Sequence, residues 1–267
     1  MKRLKLISCL LFGLGIPIAV LVAVPPIAQP LWYHDFADQR CLLCVPHALN
    51  VLSNLPFLLV GAWGILYLLR RTPHGFHESW ERAPYLVFFS AIALTGFGSA
   101  YYHWHPDNDR LLWDRLPMAV GFMAFFASII AERIDRRAGL LLLVPLVIVG
   151  AGSVLYWHWT EVWGRGDLRP YFLVQFYPLA AVPFILILFP ARYTRGSDIY
   201  GVIAWYAGAK GLELLDELIY SQGHVVSGHT LKHLVGAVSA FLVLFMLQHR
   251  RPLPAPTVPS EAAPGSS

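Results

Sequence analysis

Three histidines, a carboxylate and a hydroxyl are the residues of this sequence best suited to chemistry. Ser99 and His103 stand four apart in the stretch GSAYYHWHPDNDRLLWD, which Asp114 closes, and His229 and His233 stand four apart in GHTLKH. Side chains at that spacing share one helix face, a turn apart. Paired imidazoles so placed are a common way to hold zinc, although one H-x-x-x-H is a weak signal in a chain with 11 histidines. A third ligand at the same depth strengthens it. His103 is the choice, with His105 its nearest competitor. Three protein ligands and an open fourth position describe a catalytic zinc, whereas structural zinc is usually closed by four. Neutral nitrogen ligands without nearby thiolates fit zinc, though not uniquely. Zinc lowers the pKa of a water to about 7. Asp114 would accept its proton and later deliver it to a leaving amine, and the Ser99 hydroxyl would donate to a developing oxyanion. No covalent intermediate is needed.

Each residue also has a plainer reading. His103 alone reads as an interfacial histidine with a satisfied partner. Asp114 alone reads as a helix N-terminal acid favoured by the dipole. Ser99, among Gly96, Gly98 and Ala100, reads as a packing residue. Their arrival together at one depth favours the site, because ionisable groups at membrane depth are costly and tend to face a polar cavity.

The elements that must bring these residues together are transmembrane helices. Of 267 residues 57% are hydrophobic and 13% charged, against roughly 25% charged in a soluble domain. Apolar runs occupy 6–24, 48–69, 84–103, 111–131, 139–157, 171–190, 199–220 and 229–248. Each is near the roughly 20 residues that cross a hydrocarbon core, and none alternates as barrel strands do. The expected fold is an all-α polytopic membrane protein, a seven-helix bundle plus one additional N-terminal helix. Residues 1–45 form that helix and an outer loop, 46–250 the core, and 251–267 a tail whose Pro, Ala and Ser read as disordered. Residues 6–24, behind Lys2, Arg3 and Lys5, also begin as a signal peptide would. Their length and the lack of a small-x-small site favour a retained helix.

Lys and Arg set the orientation. With a cytoplasmic N-terminus and eight crossings, the inner segments hold Lys2, Arg3, Lys5, Arg70, Arg71, Arg82, Arg133, Arg136, Arg137, Arg192, Arg195, Arg250 and Arg251. The outer ones hold only Arg40, Arg110, Arg165 and Arg169. Both termini are then cytoplasmic, and all five site residues fall near the non-cytoplasmic face. Short loops suit a bacterial-type inner membrane. The net charge of +4 is unclustered, which argues against nucleic acid as a partner.

Other features read as structural. Trp32, Trp104, Trp113, Trp157, Trp159 and Trp163 form an interfacial aromatic belt. Lys210 and Glu213 are placed to pair within a span, and Asp216 is near enough to support the site. Cys41 and Cys44 have no second C-x-x-C to complete a four-thiolate site, so they read as a local disulfide or as ordinary cysteines.

The order Ser-x3-His, then Asp eleven residues on, then a distant His-x3-His resembles the alkaline ceramidase family, within a wider superfamily of seven-helix membrane hydrolases that includes the adiponectin-type receptors. The resemblance covers roughly 46–250 and is carried by GSAYYHWHPDNDRLLWDRLPM and SGHTLKHL, supported by NVLSNLPFLLVG. It implies a buried zinc held by His103, His229 and His233, assisted by Ser99 and Asp114, and hydrolysis of ceramide to a sphingoid base and a fatty acid. It also implies an acidic calcium site before the first core helix. Here Asp35 and Asp38 offer oxygens, but His47 stands where an acid is expected, and calcium prefers several oxygen ligands. Two other functions fit the sequence: a seven-helix receptor or transporter with a structural metal or none, motivated by Lys210 beside Glu213, and haem held between His103 and His229.

Overall fold

The computed structural model describes residues 2–70 and 75–254, with backbone only at 2–4 and 6–12. Arg71, counted above as an inner-loop charge, and the tail from 255 onward lie outside the described residues. The described chain is all helix and loop, with two isolated β-bridges, Leu42 with Val45 and Tyr193 with Pro252. The helices are α1 (Lys2–Ala23), α2 (Ala48–Leu52), α3 (Leu55–Leu68), α4 (Ala83–Trp104), α5 (Asn108–Arg133), α6 (Arg136–Val162), α7 (Arg169–Leu188), α8 (Asp198–Leu214), α9 (Asp216–Ser221) and α10 (Gly228–His249).

Among the described residues six runs are long and apolar enough to cross a membrane: Ala48–Leu68, Ser79–Trp104, Asn108–Arg133, Arg136–Val162, Arg169–Leu188 and Gly228–His249. The chain thus reads as an integral membrane protein. Leu59, Leu66, Leu141, Ile148 and Ile187 stand exposed on its flanks, as side chains facing lipid do. The single crossing expected over 199–220 is instead divided at Leu215. At a rise of 1.5 Å per residue α8 is roughly 26 Å long, short of the roughly 30 Å hydrocarbon core. The run over 48–69 is likewise broken at Ser53 and Asn54, where Pro56 in the first turn of α3 starts a new helix. Both breaks fall at the same end of the bundle, and both serve the site.

The most buried span is α5, with 67% of its apolar window buried against 28% for α6. It packs against α4, α6 and α7, while α10 lies against α8 and α3. One apolar core joins Phe88, Phe89, Ala127, Val243 and Leu244. A second, nearer the site, joins Phe36, Tyr102, Leu111, Trp157 and Tyr171. Helix starts are fixed by side-chain caps: Asp107 accepts from the Arg110 N–H at 2.7 Å, Asp135 from Ala138 at 2.9 Å and Ser227 from Thr230 at 3.1 Å.

α1 docks on α7. The Lys5 Nζ donates to the Leu188 carbonyl at 2.6 Å, and Arg169 donates to the Leu21 and Val24 carbonyls at 2.9 and 2.5 Å. A cation on the last carbonyls of a helix is favoured by its dipole. Arg169 also grips Asp167 with two nitrogens at 2.8 Å, which holds that carboxyl below the usual carboxylate range.

Of the six belt tryptophans, Trp32, Trp104, Trp113, Trp159 and Trp163 are exposed as expected, but Trp157 is wholly buried. It is a core residue whose ring lies against Arg115. Cys41 and Cys44 are both exposed and free.

Candidate metal centre

α4 ends, and α5 and α10 begin, at one end of the bundle, and there the three histidines meet. His103 lies in the last turn of α4, His229 and His233 in the first two turns of α10. Their ligand atoms all lie within 4.8 Å of one another, and all three residues are buried. The Nε2 atoms of His103 and His229 are 3.3 Å apart. No other group of three or more such ligands gathers among the described residues. The competitor His105 points to solvent and lies 3.5 Å from Asp107.

The rings are oriented from outside. Ser53 Oγ shares a 2.8 Å hydrogen bond with His233 Nδ1, which turns Nε2 toward the other imidazoles. Ser53 sits at the break between α2 and α3, so that break delivers the contact. Beside it the Thr230 hydroxyl donates to Asn50 Oδ1 at 2.7 Å. Asp216 begins α9 and accepts from the His229 backbone N–H at 2.7 Å and from Ala37 at 3.0 Å. The break at Leu215 lets Gly228 approach so closely that a Cβ there would lie 2.3 Å from the Leu212 carbonyl oxygen. Phe36 packs its ring on His103 and His229, centroids 4.6 and 4.4 Å away.

Two imidazole nitrogens of the centre are left without a protein partner, His103 Nδ1 and His233 Nε2. Buried polar nitrogens in native structures nearly always have one. The free His233 Nε2, beside the facing Nε2 atoms of His103 and His229, is an open ligand position, and the His-Ser pair is the partner arrangement that fixes such a ligand. The donor set therefore fits a metal ion.

Ser99 and Asp114 come together one helix turn from His103. Gly98 makes this possible, since a Cβ there would meet the Trp113 carbonyl oxygen at 2.1 Å. With α4 and α5 in backbone contact, the Ser99 hydroxyl and the Asp114 carboxyl hydrogen-bond. Both are buried, and with His229 and His233 they line a cavity of about 1210 Å3 whose walls are otherwise largely apolar and aromatic. All five residues expected from the sequence thus meet. Ser53 and Phe36 were not expected, and Asp216 was expected only in a supporting role. The hint for Ser53 was the proline three residues on, which marks a helix start.

The loop between α1 and α2 closes over this end. His34 bridges Tyr102 at 2.9 Å and Asn108 at 3.0 Å, and burial pushes its pKa down. Burial also raises the Tyr33 phenol. Burial would raise Asp38 as well, but two Arg40 nitrogens at 2.8 and 2.7 Å outweigh it and hold the carboxyl low. Asp38 is thereby committed to Arg40, and Asp35 joins no group of three acidic or imidazole ligands among the described residues. Lys210 pairs with Glu213 as expected, and Lys232 joins it at 2.6 Å. Comparison with protein-family models, with curated proteins and with solved structures gave no match.

Proposed function

We propose that this chain is a zinc-dependent intramembrane hydrolase of lipid amides, with ceramide, split into a sphingoid base and a fatty acid, as the first substrate to test. One observation carries the reading: a buried three-imidazole centre stands beside a hydrogen-bonded Ser99–Asp114 pair on a roomy apolar cavity. An apolar cavity with a few convergent polar groups is the usual form of a small-molecule site.

Three neutral nitrogens with one free position suit zinc. Zinc there would supply Lewis acidity and make water a nucleophile near neutral pH. The chain's own residues do the rest. Asp114 takes a proton from water and returns it to the departing amine nitrogen. The Ser99 hydroxyl, held against Asp114, donates to oxygen as charge develops on the acyl carbon's substituent. Ser53 and Asp216 keep the imidazoles in place. The apolar walls hold the acyl chain and exclude bulk water. The distribution of Lys and Arg supports a site near the non-cytoplasmic face with cytoplasmic termini, and the short loops suit a bacterial-type inner membrane.

A receptor or transporter reading draws on the Lys210–Glu213–Lys232 cluster, which lines the same cavity. Metal analysis and a lipid-amide hydrolysis screen on one preparation separate the two. The hydrolase should carry about one zinc per chain and release fatty acid. His229→Ala should remove both. Undiminished hydrolysis in that variant would exclude the mechanism, and flux into proteoliposomes without hydrolysis would favour transport.

A further inference from the structure

Arg115 follows Asp114 on α5, so its side chain leaves the helix about 100° round from the carboxyl. It is buried at 4% exposure and lines the cavity. Three aromatic rings cage its guanidinium, with centroids at 5.2 Å (Tyr33), 4.4 Å (Trp157) and 4.9 Å (Tyr171). No ion pair among the described residues includes it, and its Nη1 has no hydrogen-bond partner. Two acids of the same cavity are already engaged: Asp114 with Ser99, and Glu213 with Lys210, Lys232 and the Tyr33 hydroxyl, which donates to it at 3.2 Å.

A guanidinium stays charged at any working pH and presents its N–H donors in its own plane. The Tyr33 hydroxyl takes one of those bonds, but the ring faces stabilise the charge without accepting in its plane, and Nη1 is left over. A buried charge without a carboxylate is costly, and buried charges are normally paired. An unmatched guanidinium facing a cavity calls for an anion, and a carboxylate supplies it in the planar form that the fork fits.

We propose that this end of the cavity is an anion subsite, in which Arg115 binds a carboxylate on the amine side of an acyl amide, so that the preferred lipids are N-acyl amino acids. The inference takes from the hydrolase reading that the acyl carbonyl lies at the imidazoles. A group held by Arg115 is then a different part of the molecule. Ceramide, whose base carries no acid, becomes the poorer ligand.

The test is binding to the purified full-length chain, independent of turnover. N-oleoylglycine and N-oleoylethanolamine share chain and amide and differ in the acid; oleate and oleyl alcohol form a second pair. The wild type should bind N-oleoylglycine at least ten-fold more tightly than N-oleoylethanolamine. Arg115→Gln should abolish the difference, and Arg115→Lys should keep part of it. Equal affinities in the wild type, or a preference that survives Arg115→Gln, would overturn the subsite. A preference for oleate over oleyl alcohol without one for N-oleoylglycine would also overturn it, by assigning the anion to the acyl product. Acid preference without hydrolysis would sink the hydrolase reading alone, and hydrolysis without acid preference the subsite alone.

Discussion

Two buried arginines occupy matching aromatic cages at opposite ends of the bundle. Arg250, just past α10, lies among Phe76, Tyr85 and Tyr193, with centroids 4.7, 5.3 and 4.2 Å away. Arg115 lies among Tyr33, Trp157 and Tyr171. The cages are alike, but the partners are not. Arg250 pairs with Glu132 and donates from Nε to the Gly75 carbonyl at 2.9 Å, while the Tyr85 hydroxyl donates to Glu132 at 2.7 Å. Among the described residues no buried side-chain atom of that cluster lacks a partner. At the other end Arg115 Nη1, His103 Nδ1 and His233 Nε2 all lack one. Asp114 and Glu132 are roughly 27 Å apart along α5 by helical rise, so one helix carries a closed polar network at one end and an open one at the other. A closed network holds a fold together. An open one is finished by something the chain does not contain.

The largest expected effect comes from breaking the open end. His103→Ala should leave bound zinc below a tenth of the wild-type content and remove at least about 1000-fold of hydrolysis, since one ligand of three is gone. Thermal melting of the metal-free proteins should be nearly the same for variant and wild type. A large fall in metal-free stability would mean that His103 is chiefly a packing residue, and the contrast between the ends would fail.

The closed end should answer in stability. Glu132→Ala strands the Arg250 charge and should cost about 3–5 kcal/mol. The protein that still folds should keep its zinc and its turnover per folded molecule. The double change Glu132→Leu with Arg250→Met should restore most of the loss, because well-packed apolar residues often replace a buried ion pair without penalty. Unfolding in denaturing detergent, read beside metal content, checks both.

Ser53→Ala sharpens the comparison within the open end. It removes the hydrogen bond that sets His233 and should weaken metal affinity by about 10–100-fold, as loss of such a supporting partner does. Competition with a chelator measures it. Unchanged affinity would show that the His233 ring is held by packing alone.

How much of this could be read from the sequence follows from the range of each interaction. The histidine pair, the Ser99–His103 spacing and the long apolar runs are local patterns, and helical periodicity was enough to align them. The meeting of α4, α5 and α10 at one end followed from counting crossings. The breaks at Ser53 and Leu215 were invisible because apolar composition runs straight through them. They depend on close approaches such as Gly228 against the Leu212 carbonyl, which only the packed bundle reveals. Trp157 was misjudged for the same reason. Its place in the sequence is interfacial, but its ring turns inward to Arg115. The loop from 24 to 47 carried no periodicity at all, yet it delivers Phe36, Tyr33 and His34 to the site.

That loop gives the smallest effect. His34 is pinned between Tyr102 of α4 and Asn108 of α5, and its pKa lies below the usual 6.5 because burial disfavours the imidazolium. The Asn108 hydrogen bond, Asp107 and Asp35 pull the other way, and Arg115 pushes with burial. The native state therefore prefers the neutral ring, and the unfolded or open loop binds the extra proton. The contribution of His34 to closure is complete above pH 6.5 and is lost as the pH falls from there through the folded-state pKa. Hydrogen exchange in residues 24–47 of the metal-free protein should thus quicken modestly between pH 7.5 and 5.5, after correction for intrinsic rates. His34→Gln keeps a donor and an acceptor but cannot titrate, so its protection should stay flat across the same window. If wild type and variant lose protection together, the pH response belongs to the imidazoles beneath the loop, and His34 is only a strut.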